Sequence, residues 1–135
     1  MDIETGEVRV LKYVSAHDVG RAINPAIVQG QIMGGVLMGI SWVLSEELRF
    51  DDLGRPLNLS LTDYKIFTSA DCPQIIPIIV ESDDPLGPYG AKGFGEAPIS
   101  AVPGCIANAI YNAIGIRFKE LPITPEKVLK ALSEG

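Results

Sequence analysis

Apolar and polar positions change rhythm several times along the chain. Residues 7–16 (EVRVLKYVSA) carry Val8, Val10, Tyr13 and Val14, a β-rich run without clean alternation, and predict a strand. The segment HDVGRAINP interrupts this run and reads as a loop. Asn24-Pro25 then signals a helix start, with Asn24 as N-cap and Pro25 at the first helical position. The helix is predicted over residues 25–47, with Ile27, Gln31, Gly34, Met38 and Trp42 recurring along one side. Gly30, Gly34, Gly35 and Gly39 stand inside it. Each costs a helix roughly 1 kcal/mol relative to alanine, about 4 kcal/mol for the set. That cost implies close approach of another backbone or of a bulky ligand. A small-residue face between membrane helices is the alternative.

Further along, residues 48–61 suggest a hairpin turning at Asp51-Asp52-Leu53-Gly54, with Gly54 free to take a positive φ. IIPIIVE (75–81) predicts a strand on which Pro77 favours an edge or a bulge. DDPLGPYGAKGFGE (83–96) reads as a loop, and residues 97–114 as a helix with a break at Pro103 and a C-cap at Gly115. Residues 116–118 suggest a short strand, and Thr124-Pro125-Glu126 opens a last helix running to about residue 132. Strands and helices mix without βαβ regularity. The expectation is therefore an α+β fold, a small mixed sheet packed with two longer helices and a short C-terminal helix. All 135 residues fit one domain.

Composition narrows the function. With 47% hydrophobic residues the chain can build a core. No apolar run reaches the length expected of a membrane span, and Asp2 and Glu4 after Met1 predict no signal peptide. A net charge of -6 disfavours nucleic acid as a partner. Cys72 and Cys105 lack any metal or cluster spacing and read as reduced thiols, which points to a cytoplasmic protein and to no metal ligands in this chain.

The candidate chemistry sits in GPYGAKGFGE. Gly87, Gly90, Gly93 and Gly95 let the backbone turn sharply and lay its amides against a ligand, and helix onset after Glu96 suits an anion. The same glycines would serve an ordinary structural loop. Neither a P-loop nor a dinucleotide fingerprint is present. Glu96 is either a first-turn acid that complements the helix dipole or a general base on a rigid loop. Gln31 is either a solvated side chain or a ligand-facing amide among glycines, and the single histidine, His17, reads as structural.

Five blocks, DVGRAINP (18–25), GQIMGGVLMGISWVLSEE (30–47), DYKIFTSADCP (63–73), GPYGAKGFGE (87–96) and AIYNAIGIRFKELPITPEKV (109–128), together resemble the C-terminal end of the molybdopterin-binding large subunit of molybdenum hydroxylases, the xanthine dehydrogenase and aldehyde oxidase family. The resemblance implies that Glu96 is the catalytic base, that Gln31 in its GQ motif with Gly30 reaches the cofactor, and that Lys92, Gly93, Phe94 and Gly95 line the molybdenum site. It implies a molybdenum-molybdopterin cofactor, in that form or as the cytosine dinucleotide, shared with segments outside this chain. The remainder of the large subunit, iron–sulfur and flavin subunits or domains, and self-association of the isolated chain are the expected partners. Met38 stands where relatives often carry a second glutamine, and Phe94 where they carry a smaller residue. A non-catalytic stand-alone domain of the same fold, acting in binding or assembly, is the competing expectation.

Overall fold

A computed structural model describes residues 1–134. Its elements are β1 (Lys12–Asp18), α1 (Pro25–Leu44), β2 (Gln74–Val80), α2 (Ala97–Ser100), α3 (Val102–Ile114) and α4 (Pro125–Glu134), with a single 3-10 turn at Pro88–Gly90. The α+β expectation holds. The sheet is one parallel pair, with Lys12 opposite Gln74 and Asp18 opposite Val80. β1, α1 and β2 thus form one βαβ crossover, which the unrepeated sequence pattern did not disclose.

The core is built on α1. Ile32, Val36, Ile40 and Val43 return to one side of the helix at helical spacing and are fully buried. They pack with Val102, Ile106 and Ile110 of α3, Tyr13 of β1, and Ile123 and Val128 near the C-terminus. Each such side chain stabilises the fold by about 1.5–3 kcal/mol relative to exposure. The rest of α1 is also apolar, and Ile27, Met38 and Trp42 are exposed. At 20 residues and a hydropathy of 1.5 the helix could cross a membrane by length and composition alone, contrary to the sequence expectation. Its buried side nonetheless forms the middle of the core.

Where one residue decides the geometry, the local sequence signals hold. The Asn24 side chain accepts from the Ile27 amide at 3.2 Å. Gly54 and Gly115 both take left-handed φ, and the Gly115 amide donates to the Tyr111 carbonyl at 2.7 Å. Pairing-dependent boundaries moved. β1 starts at Lys12 rather than residue 7 because β2 begins only at Gln74, after Pro73, which has no N–H to offer. His17 and Asp18, expected in a loop, complete β1. α1 stops at Leu44, three residues early. There the Ser45 hydroxyl donates to the Ser41 carbonyl at 3.0 Å and the Lys65 carbonyl at 2.9 Å, and the chain turns away. Residues 116–118 form no strand, since nothing pairs with them. The helix break falls at Ala101, between α2 and α3.

Candidate functional site

Because β1 and β2 are parallel, the segments that leave their carboxyl ends, residues 19–24 and 81–96, emerge side by side. This is the place where sheets of this kind hold ligands. The two segments are stitched together by backbone bonds. The Val19 amide donates to the Val80 carbonyl at 3.0 Å, Arg21 to Gly90 at 2.7 Å, and Lys92 to Val19 at 2.9 Å. A Cβ on Gly20 would strike the Gly90 carbonyl, and one on Gly87 the Ala91 carbonyl, so both positions exclude side chains. Gly90 has a φ of +79°. Tyr89 and Asp83 hold left-handed φ without being glycine. Strain of this kind, about 1–3 kcal/mol per residue, persists only where the surroundings dictate it.

The loop is therefore anchored at its base and open at its tip. An added Cβ at Gly93 or Gly95 would meet nothing within 4 Å, and neither residue has a positive φ. Their absent side chains leave space in front of the loop; they do not set its turn. Phe94 between them is half-buried, packed on the core and edge-on to the His17 ring at a centroid distance of 5.4 Å. His17 in turn shares a 2.7 Å hydrogen bond with the Ser15 hydroxyl. It is the structural histidine that the sequence suggested. The Lys92 ammonium pairs with the Asp18 carboxylate at 2.7 Å.

Glu96 follows at once. It caps α2 by position, but its side chain makes no capping bond and, among the described residues, no ion pair. α2 is a single turn, so the helix dipole expected to favour an anion there is weak. The Glu96 side chain is exposed.

The glycines of α1 divide into two pairs. Gly35 and Gly39 admit α2 and α3: an added Cβ would lie 2.7 Å from Pro98 Cβ and 2.7 Å from Val102 Cβ. Gly30 and Gly34 face open space, with nothing within 4 Å. Gln31, exposed, stands one helical turn before Gly35, where α2 crosses. Gln31 and the residue immediately before α2, Glu96, thus border the same region, both with exposed side chains. The sequence alone does not single out Asp18 or Ser82. The Ser82 hydroxyl donates to Asp18 from 64 residues away, and Lys92 from 74, so no local signal could have revealed the contact. Asp18 is held down at about 2 by the hydrogen bond from Lys92, then by the Gly20 amide and Ser82.

Residues 1–73 match the family model of a molybdopterin cofactor-binding domain. The putative xanthine dehydrogenase molybdenum-binding subunit XdhA of Escherichia coli K12 is 39% identical over 95% of this chain and 17% of its own length. The aldehyde oxidoreductase molybdenum-binding subunit PaoC of the same strain is 40% identical over 96% of this chain and 18% of its own. Among solved structures, quinoline 2-oxidoreductase from Pseudomonas putida 86 is similar at a TM-score of 0.90 and 35% identity, over 96% of this chain and 17% of that one. Aldehyde oxidoreductase from Desulfovibrio gigas is similar at 0.88 and 35%, over 98% and 14%. The chain spans less than a fifth of the length of each of these relatives.

Proposed function

This chain belongs to the molybdopterin cofactor-binding domain family, and from that premise we propose that it contributes the catalytic glutamate and one wall of the cofactor pocket to a molybdenum-dependent hydroxylase or dehydrogenase acting on an N-heterocycle or an aldehyde. The observation that carries the reading is Glu96: an exposed carboxylate without a cap or ion-pair role, on a loop fixed at its base and cleared of side chains at Gly93 and Gly95. The residues present fit a large planar cofactor with hydrogen-bonding edges and an anionic tail. A Cβ at Gly30, Gly34, Gly93 or Gly95 would fill space that is now open.

When bound, the molybdenum cofactor accepts the electrons that the substrate carbon gives up. Within this chain, Gln31 offers an amide that both donates and accepts, suited to a pterin edge. Gly30 lets the cofactor approach the helix backbone. The amides of Gly93, Phe94 and Gly95 provide neutral donors for its anionic parts. Lys92 and Phe94 also root the loop, through the Asp18 pair and the His17 contact. The Glu96 carboxylate takes up a proton as general base.

The chain's small share of its relatives supports reading it as part of a longer large subunit, and the resemblance of its five sequence blocks supports the C-terminal end as that part. The remaining pocket, and iron–sulfur and flavin groups, then come from other segments or subunits, and the isolated chain does not turn over substrate. The test is Glu96→Gln in the cofactor-loaded enzyme. Glutamine keeps the size and hydrogen-bonding reach of glutamate but cannot take the proton. Turnover should fall on the order of 10²–10⁴-fold with molybdenum content retained. Near-normal turnover at full molybdenum content would return Glu96 to a surface role.

A further inference from the structure

We propose that Asp18 is a positioning residue, a clasp that binds the glycine loop to the carboxyl end of β1 and so fixes where Glu96 stands; the proposal rests on the role given to Glu96 above. Three separated segments meet on this one carboxylate. Its Oδ1 accepts from the Gly20 amide at 2.9 Å and from the Ser82 hydroxyl at 2.8 Å. Its Oδ2 accepts from Ser82 at 2.7 Å and from the Lys92 ammonium at 2.7 Å.

What makes the contact matter is where the other restraints end. Backbone bonds hold the loop as far as the Lys92 amide, and the next one is the Ile99 amide donating to the Glu96 carbonyl at 3.2 Å. Between them lie Gly93 and Gly95, the two most permissive residues the loop could carry. The Lys92 side chain is thus the last polar anchor before Glu96, and the Phe94 ring the last apolar one. A base must stand within hydrogen-bond reach of its proton, and a misplacement of about 1 Å can cost roughly 10²-fold in rate.

Stability is a poor reason for this pair to exist. Lys92 and Asp18 are 37% and 38% exposed, and pairs so exposed stabilise a fold by less than about 1 kcal/mol. Position is the better reason, because a weak contact can still select one conformation of a flexible tip. The carboxyl group, held at about 2 chiefly by Lys92, keeps its charge throughout the neutral range.

The test is Asp18→Asn in the cofactor-loaded enzyme that contains this chain. Asparagine keeps an acceptor for Gly20 and Ser82 but loses the charge that holds Lys92. Exchange of the Lys92 amide, the last one bonded before Glu96, should quicken severalfold, up to about fivefold, while the amides of β1 and β2 are unchanged. Per loaded enzyme, kcat should fall about two- to fivefold with KM unchanged. Unchanged exchange in the loop would overturn the clasp, as would unchanged kcat. Exchange quickening uniformly through β1 and β2 would also overturn it, by making Asp18 a general fold residue. Glu96→Gln separates this proposal from the one beneath it: that variant should lose turnover while its loop exchanges slowly. Were Glu96→Gln active, the catalytic reading would fail, and the exchange of Asp18→Asn would still decide whether the clasp exists.

Discussion

The two pairs of α1 glycines make opposite predictions for the same substitution. At Gly39 an alanine methyl would lie 2.7 Å from Val102 Cβ and 2.9 Å from both of its γ carbons. Favourable carbon contacts begin near about 3.5 Å, so the overlap must be relieved. Val102 cannot easily give way. It is fully buried, is β-branched and stiff at χ1, and opens α3. Overpacking of this kind costs about 1–3 kcal/mol, against roughly 1 kcal/mol gained in helix propensity. At Gly34 nothing lies within 4 Å, so the propensity gain of roughly 1 kcal/mol is kept whole. Gly34→Ala should therefore be more stable than Gly39→Ala by about 1–3 kcal/mol, roughly 3–12 °C in Tm for a domain of this size. Urea unfolding of both variants with matched m-values measures the difference. Under the proposed function Gly34→Ala should also lower molybdopterin occupancy, because its methyl fills the open face. A stabilised Gly39→Ala, or a Gly34→Ala that unfolds earlier than the parent, would refute the division of the helix into a packed side and an open side.

Other outcomes follow from single contacts. Asn58 is 3% exposed and bridges the Glu47 carbonyl and the Arg49 amide at 2.7 and 2.8 Å, so Asn58→Ala should destabilise by about 1–3 kcal/mol in urea unfolding. Asp18 has a folded-state value below its unfolded one. Its clasp is therefore fully present above pH of about 4 and lost as pH falls through about 2; the Gly20 amide shift in NMR should titrate near that lower value, and a midpoint at the ordinary aspartate value would contradict the geometry. The isolated chain should self-associate through exposed Ile27, Met38, Trp42, Leu57, Leu59 and Leu61, and a monomer by light scattering at high micromolar concentration would count against that.

How much of this could be read from the sequence depends on the distance over which each signal acts. Asn24, Gly54, Gly115 and Thr124 announce their geometry within four residues, and the structure agrees with each. Glu96 and Gln31 stand out through the motifs around them, and both are exposed. The α1 glycines were recognised as an unexplained cost, but composition could not say that Gly35 and Gly39 serve helix packing while Gly30 and Gly34 do not. That needs the position of α2 and α3. Strand boundaries failed for the same reason: β1 is as long as β2 allows, and β2 lies beyond α1 and the segment 45–73. Phe94 looked from its motif like a pocket residue, and in the fold its ring is turned to His17 and the core.

The crossover that joins β1 to β2 also orders events in time. The strands are separated in sequence by a 20-residue helix and the long segment after it. Helices close within microseconds, whereas pairing across such a span must first meet the entropy of closing the loop. The base of the glycine loop is assembled from the carboxyl ends of both strands, so it takes shape only after they have paired. A substitution that slows or weakens strand pairing should then produce a protein with normal helical circular dichroism and an unformed loop. Such variants would be isolated as cofactor-deficient, and the lesion would be sought in the pocket although it lies in the sheet beneath.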